Sequence, residues 1–292
     1  MCGIAGIFDV RQQRPVDERL LQRMNQAQFH RGPDEGGLHT EPGVGLAHRR
    51  LSIIDLSNGH QPLFNEDRSV VVVFNGEIYN FRELTNELLE AGHRFRTHCD
   101  TEVIVHAWEE WGEDCVRRFR GMFAFAIWDR NRRRLFLARD RLGIKPLYYA
   151  QLADGRFLFG SELKALLECH ELPRELDPRA VEDYFSHGYV PDPRTIFRGV
   201  HKLEPGYTLT VVRGQEELRP RQYWDVPFVS NGMHTEADAR EGLIEKLREA
   251  VRIRLVAEVP LGAFLSGGVD SSAVVAMMAG LSDKPVSTCS IS

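Results

Sequence analysis

Cysteine is scarce in this sequence and odd in number, with five residues scattered over 292. That excludes the paired framework on which disulfide-stapled domains depend. No CxxC pair and no Cys/His cluster falls at metal-ligand spacing, and His98-Cys99 stands alone. Packing is therefore the expected role of those two residues. No apolar run approaches the ~20 residues a membrane-spanning helix needs, so no membrane partner is expected. The N-terminus lacks a basic stretch leading into an apolar one, so no secretory leader is expected either. A basic excess is also missing. Lys and Arg number 37 against 42 Asp and Glu, a formal charge of −5, whereas nucleic-acid binders carry a basic face. The basic run Arg132-Arg133-Arg134 lies between two apolar segments and reads as a solvated hairpin turn. A reducing cytoplasm suits this use of thiols.

The composition, 42% hydrophobic and 27% charged, is that of a soluble globular chain long enough for two domains. Through about Val212 the chain consists of short apolar runs broken by turns. Strands are expected at Gly3–Phe8, Val44–Ala47, Val70–Phe74, Phe123–Trp128, Leu135–Ala138 and Phe157–Phe159, from their β-branched and aromatic content. Helices are expected over Asp17–Gln28, with Leu20, Leu21 and Met24 on one face, and over Phe81–Ala91, which stops at Gly92. Many strands with few, clustered helices predict an α+β domain over residues 1–212. Residues 213–234 are polar and irregular, carry Pro220 and Pro227, and read as a linker.

A second domain is expected over residues 235–292. Thr235 caps a long helix whose apolar face includes Leu243, Ile244, Leu247, Val251 and Leu255. A strand, Val259–Leu265, then a glycine turn and a helix from Ser271 form the first unit of an α/β fold. One such unit cannot bury an independent core, so this domain is expected to be incomplete in the chain.

Two places carry chemistry. Removal of Met1 would leave Cys2 with both a thiol and a free α-amine. The pKa of such an amine, roughly 7.7–8.0, lets it take the proton of a thiol near 8.5. That is a nucleophile with its own base. The other place is Ser266-Gly267-Gly268-Val269-Asp270-Ser271-Ser272, between the strand and the helix. Its glycines let main-chain N–H groups approach an anion at a helix N-terminus, and the serines add hydroxyl donors. It lacks the terminal lysine of a Walker A loop. An unliganded tight turn is the alternative.

Several further segments occur in a telling order: His30-Arg31-Gly32-Pro33-Asp34, Arg50-Leu51-Ser52-Ile53-Ile54-Asp55, Asn75-Gly76-Glu77-Ile78-Tyr79-Asn80, Asp100-Thr101-Glu102-Val103-Ile104, Arg139 to Tyr149, and Gly160 to Leu166. Together they resemble the glutaminase domain of glutamine-hydrolysing asparagine synthetases, and the loop at 266–272 resembles the SGGxDS pyrophosphate loop that opens their synthetase domain. The resemblance implies a four-layer α/β/β/α N-terminal-nucleophile hydrolase sandwich, followed by the start of an α/β adenine-nucleotide α-hydrolase-like domain. It implies that Cys2 attacks the side-chain amide of glutamine and that water hydrolyses the resulting thioester. It gives the oxyanion to the Asn75 amide and the Gly76 N–H, the substrate α-carboxylate to Arg50, and the α-ammonium to Asp100 and Glu77. Backbone groups of Leu51 and Ile53 complete the pocket. ATP, with Mg2+, is implied only for the synthetase reaction, at Leu265, Ser266, Gly267, Gly268, Asp270, Ser271, Ser272 and Ile291. Glutamine hydrolysis needs no cofactor, and no metal-binding residue is assigned.

Taken singly, Arg50 also reads as a surface ion-pair residue, Asp100 as a helix N-cap and Asn75-Gly76 as a hairpin turn. His30–Asp34 and Arg139–Tyr149 read as mainly structural. The whole resemblance predicts ammonia delivery to an ATP-activated carboxylate, aspartate first, with a homodimer as the candidate assembly. Relatives associated with exopolysaccharide genes leave another acceptor open. A stand-alone glutaminase and a non-catalytic binding module are the rival functions.

Overall fold

The computed structural model describes residues 1–228 and 235–291. It divides into two compact units: residues 1–52 with 57–225, and residues 53–56 with 226–292.

The first unit is built on two six-stranded antiparallel sheets. One contains β1 (Gly3–Asp9), β2 (Glu35–Glu41), β3 (Val44–Arg50), β8 (Tyr148–Gln151), β9 (Arg156–Gly160) and β10 (Val200–Lys202), in the order β10-β8-β9-β1-β3-β2. The other contains β4 (Leu63–Phe64), β5 (Val70–Ile78), β6 (Gly121–Asp129), β7 (Arg134–Arg139), β11 (Tyr207–Val212) and β12 (Arg221–Gln222), in the order β12-β11-β7-β6-β5-β4. Strand side chains alternate between faces. Ile4 and Phe8 of β1 thus join Val71, Val73, Ala126 and Leu137 in a core between the sheets. Ala5 and Ile7 point the other way, against Leu20, Leu21 and Met24 of α1 (Glu18–Gln26) and Ala165 and Leu166 of α5 (Leu163–Leu166). Every residue of β1 is buried, which is why that strand is apolar on both faces.

Helices α2 (Phe81–Glu90), α3 (Asp100–Trp111) and α4 (Cys115–Arg118) complete the stack beside the second sheet, where Trp108 packs on Phe136 with ring centroids 4.8 Å apart. The result is the expected α/β/β/α sandwich. A further helix, α6 (Pro178–His187), is capped by Asp177 Oδ1, which accepts from the Arg179 N–H at 3.0 Å.

The strands expected in this unit are present but longer, and β5 continues four residues past Phe74, whereas the strand expected over Val259–Leu265 shortens to Gly262–Phe264. The run Arg132–Arg134 does turn the chain between β6 and β7, with Arg133 at φ 52°. The stretch from 213 was expected to be a linker, yet the first unit runs on to Asp225. Tyr223 explains the difference: its ring is buried, its hydroxyl donates to the Arg139 carbonyl at 2.9 Å, and its N–H donates to that of Gly206 at 2.8 Å. Residues 229–234 of that stretch lie outside the described residues.

In the second unit, α7 (Glu236–Arg252) opens with a capping box. The Thr235 hydroxyl accepts from the Asp238 N–H at 3.2 Å, and the Thr235 N–H donates to the Asp238 carboxylate at 3.1 Å. The helix ends before Leu255. Strand β13 (Gly262–Phe264) pairs in parallel with β14 (Ser287–Cys289), and α8 (Val269–Gly280) begins two residues before the expected Ser271. No helix among the described residues is long and apolar enough to cross a membrane.

Candidate active site

Cys2 stands at the head of β1. Because Gly3 pairs with Arg49, the thiol comes to lie beside the end of β3. Its Sγ is 3.7 Å from the Leu51 carbonyl oxygen and 3.5 Å from the Leu51 nitrogen. Arg31 holds the Cys2 main chain: Nε donates to the Cys2 carbonyl at 2.8 Å, and Nη1 donates to Glu162 Oε1 at 3.0 Å. Burial pushes the Cys2 thiol above its ordinary pKa. The Leu51 contact and the N-terminal ammonium pull it back, while the Glu77 and Asp100 carboxylates raise it further. Burial also pushes the Met1 α-ammonium below its ordinary value.

Asn75 and Gly76 do not form a hairpin turn. They lie inside β5, paired with Ala124 and Phe123 of β6. Asn75 is fully buried, and neither its Oδ1 nor its Nδ2 has a hydrogen-bond partner. Leaving a buried amide unpaired costs about 1–3 kcal/mol, so its presence implies a partner from outside the chain. At Gly76 a Cβ would sit 2.2 Å from the Met122 carbonyl oxygen, so only glycine lets the two strands pair here.

Arg50, at the end of β3, is buried and not a surface residue. Its Nη1 lies 3.2 Å from Glu35 Oε1, and the other oxygen of Glu35 meets His60 Nδ1 at 2.7 Å. Asp100 is the first residue of α3, with Cys99 in the cap position, and its Oδ2 accepts from the Ile78 N–H of β5 at 2.8 Å. Burial raises the Asp100 carboxyl, against the pull of its main-chain hydrogen bonds and of Arg50. Burial also raises Glu77, Asp100 adds to the effect, and Lys145 opposes it. Both carboxyl groups are thus disfavoured as anions.

Lys145 was grouped with the structural residues in the sequence reading. It is buried, with its pKa pushed down by burial and supported by the charges of Glu77 and Cys2. A lysine inside the apolar segment Leu142–Tyr149 was the available signal. Ile53 groups with the second unit, where its carbonyl accepts from the Glu258 N–H at 3.0 Å.

In the second unit, Gly267 takes φ 81° with nothing within 4 Å of the position a Cβ would occupy. The Ser266 and Ser271 hydroxyls lie 3.1 Å apart, and Ser271 Oγ donates to the Gly268 carbonyl at 3.1 Å. Asp270 is in the first turn of α8, followed by Ser271 and Ser272. The loop is open, and its hydroxyls and main chain sit at the start of a 12-residue helix. It therefore fits a phosphate group. Both main-chain polar groups of Leu265 are engaged, with the Cys289 carbonyl and Ser290 Oγ, while the Ile291 side chain is exposed.

A family model described as a glutamine amidotransferase domain matches residues 1–224, and one described as asparagine synthase matches residues 242–292. The chain is 41% identical to glutamine-hydrolysing asparagine synthetase 1 of Bacillus subtilis over 95% of its own length and 44% of that protein's. It is 38% identical to synthetase 3 of the same organism over its whole length and 48% of that protein's. The chain thus spans about half the length of the curated relatives it matches. Glutamine phosphoribosylpyrophosphate amidotransferase from B. subtilis shares the fold, at 17% identity and a TM-score of 0.53, over 98% of this chain and 65% of that one.

Proposed function

The chain belongs to the glutamine amidotransferase family, and on that premise we propose that its first unit hydrolyses glutamine to glutamate and ammonia with Cys2 as the nucleophile. The observation that carries the reading is the buried, unpartnered side-chain amide of Asn75. Its Nδ2 is a donor fixed in a rigid strand and already desolvated. Such a donor stabilises an oxyanion without reorganising when the charge develops.

In this reading, removal of Met1 exposes the Cys2 amine as the base. The depressed Met1 ammonium supports that role, because burial in the same neighbourhood favours a neutral amine at neutral pH. The amine takes the thiol proton as Sγ attacks the amide carbon of glutamine. Asn75 and Gly76 hold the oxyanion, the Cys2 amine passes the proton to the leaving nitrogen so that ammonia departs, and water releases glutamate from the thioester and restores the thiol. Arg50 binds the substrate α-carboxylate in a fork. Glu77 and Asp100 bind the α-ammonium, whose charge offsets the cost of ionising two buried carboxyl groups. Main-chain groups of Leu51 flank the thiol.

The names of the relatives support the destination of the ammonia, an amide made from a carboxylate acceptor such as aspartate. ATP, accompanied by Mg2+, would be held at Ser266, Gly267, Gly268, Asp270, Ser271 and Ser272, with Leu265 and Ile291 toward the adenine. When bound it supplies the activation of the acceptor carboxylate. A reducing compartment such as the cytoplasm keeps Cys2 free for this chemistry.

The test is glutamate release from glutamine by the mature chain, with its N-terminal mass measured, against Cys2→Ala. Release is expected to fall to background in the variant. Equal rates would overturn the assignment.

A further inference from the structure

Away from the glutamine pocket, three segments of the first unit converge on one cluster. The turn after β4 brings Glu66, the loop between α2 and α3 brings His93, and the later turns of α3 bring His106 and Glu109. One ligand atom from each lies within 4.8 Å of all the others. His106 Nδ1 is 3.3 Å from Glu109 Oε2 and 3.5 Å from Glu66 Oε2, and His93 Nδ1 is 3.8 Å from Glu109 Oε2. Four ligands at about 2.1 Å around a tetrahedral zinc are separated by about 3.4 Å, so these groups need little movement to close on an ion.

The surroundings make this more than a chance gathering of charge. Each carboxylate keeps its Oε2 in the cluster and is anchored by Oε1. Glu66 Oε1 accepts from the Arg94 N–H at 3.0 Å, and Glu109 Oε1 accepts from Asn65 Nδ2 at 2.7 Å. Each imidazole keeps Nδ1 in the cluster and turns Nε2 to another carboxylate. His93 Nε2 is 3.4 Å from Glu110 Oε2, and His106 Nε2 is 3.6 Å from Glu102 Oε1. The carboxylate behind His93 Nε2 is the usual outer-shell partner of a ligating histidine. His106 is fully buried, and its Nε2 makes no hydrogen bond. Phe95 packs against its ring, with centroids 4.6 Å apart.

We propose that Glu66, His93, His106 and Glu109 bind one divalent transition-metal ion, with Zn2+ the best match, and that the ion ties two loops to α3. Two imidazoles and two carboxylates suit Zn2+, whereas Mg2+ and Ca2+ prefer a fuller shell of oxygens. Because α3 begins with Asp100, the site would brace the helix that carries a pocket residue.

The test uses the full chain carrying Cys289→Ala, which removes the exposed thiol as a competing ligand. After chelation and dialysis it is titrated with Zn2+ by calorimetry, and bound metal is counted by mass spectrometry. Co2+ serves as a spectroscopic probe of geometry. One ion per chain is expected, with the visible absorption of tetrahedral Co2+. His93→Gln is expected to abolish stoichiometric uptake while circular dichroism stays unchanged, since His93 lies in a loop. Glu110→Gln is expected to weaken binding ~10–100-fold, the usual effect of losing an outer-shell partner. Absence of stoichiometric uptake would overturn the proposal. So would uptake, or a Co2+ spectrum, that His93→Gln leaves unchanged.

Discussion

The two units use the same local grammar and differ in what covers it. In the first, apolar side chains from both sheets and from α1 and α3 reach zero exposure, among them Phe8, Phe125, Phe136 and Trp108 at 1%. In the second, α7 leaves Leu243 69% exposed and Ile244 41% exposed, and Val269 of α8 is 86% exposed. Yet α7 has a reciprocal capping box, and α3 has no side-chain cap at all. Local signals therefore do not separate the units. What separates them is whether a further layer lies against each apolar stripe, because burial supplies most of the stability of a helix in a protein.

The largest expected effect comes from separating the units. Residues 1–225 should melt cooperatively on their own, whereas residues 226–292 should show no cooperative transition by circular dichroism. A cooperative melt of the shorter piece would break the comparison. Single truncations refine it. Phe125→Ala should cost about 3–5 kcal/mol in denaturant unfolding, while Leu243→Ala should stay within about 0.5 kcal/mol.

Within the first unit, function and stability should part at Asn75. Asn75→Ala should lower the glutaminase kcat by ~10²–10³. The melting temperature should barely fall, because the deleted amide has no partner to lose. A large loss of stability instead would make Asn75 a structural residue.

A milder effect than the loss of kcat concerns Asp9, at the end of β1. Burial pushes its carboxyl up, but the Arg14 side chain and the N–H groups of Gln12 and Arg14 outweigh this and lower it from 3.8 to about 2. A depressed carboxyl contributes stability above its unfolded pKa and loses it as pH falls through the folded value. About 2 kcal/mol should therefore disappear between pH 4 and pH 2. Asp9→Asn should flatten that part of the stability curve.

Much of this was legible in the sequence. Wherever a strand is buried on both faces, as β1 and β6 are, continuous apolar runs announce it. Wherever a strand is polar or short, as in Glu35–Glu41 or Arg221–Gln222, no periodicity marks it, and only pairing with a neighbour makes it a strand. The stretch 213–225 looked like a linker because its order comes from Tyr223 reaching Arg139, a contact 84 residues away in the chain.

The site divides in the same way. The resemblance of the ordered motifs to the glutaminase domain pointed to Cys2, Arg50, Asn75, Gly76, Glu77 and Asp100, and the chemistry of a thiol, a guanidinium fork and a carboxylate suits those roles. Asn75-Gly76 read equally well as a turn, and register alone decided against it: pairing with β6 buries the amide and leaves it unpartnered. Lys145 and the Glu66–His93–His106–Glu109 cluster could not be read from spacing, because loops and a helix bring together groups as far as 43 residues apart. By itself the sequence determined which groups are present and which segments are helical or extended, as these depend on local propensity and side-chain chemistry. Burial, and with it the shifted acidities, the orphaned amide and the converging imidazoles, was decided only when the two sheets and α3 closed over them and excluded water.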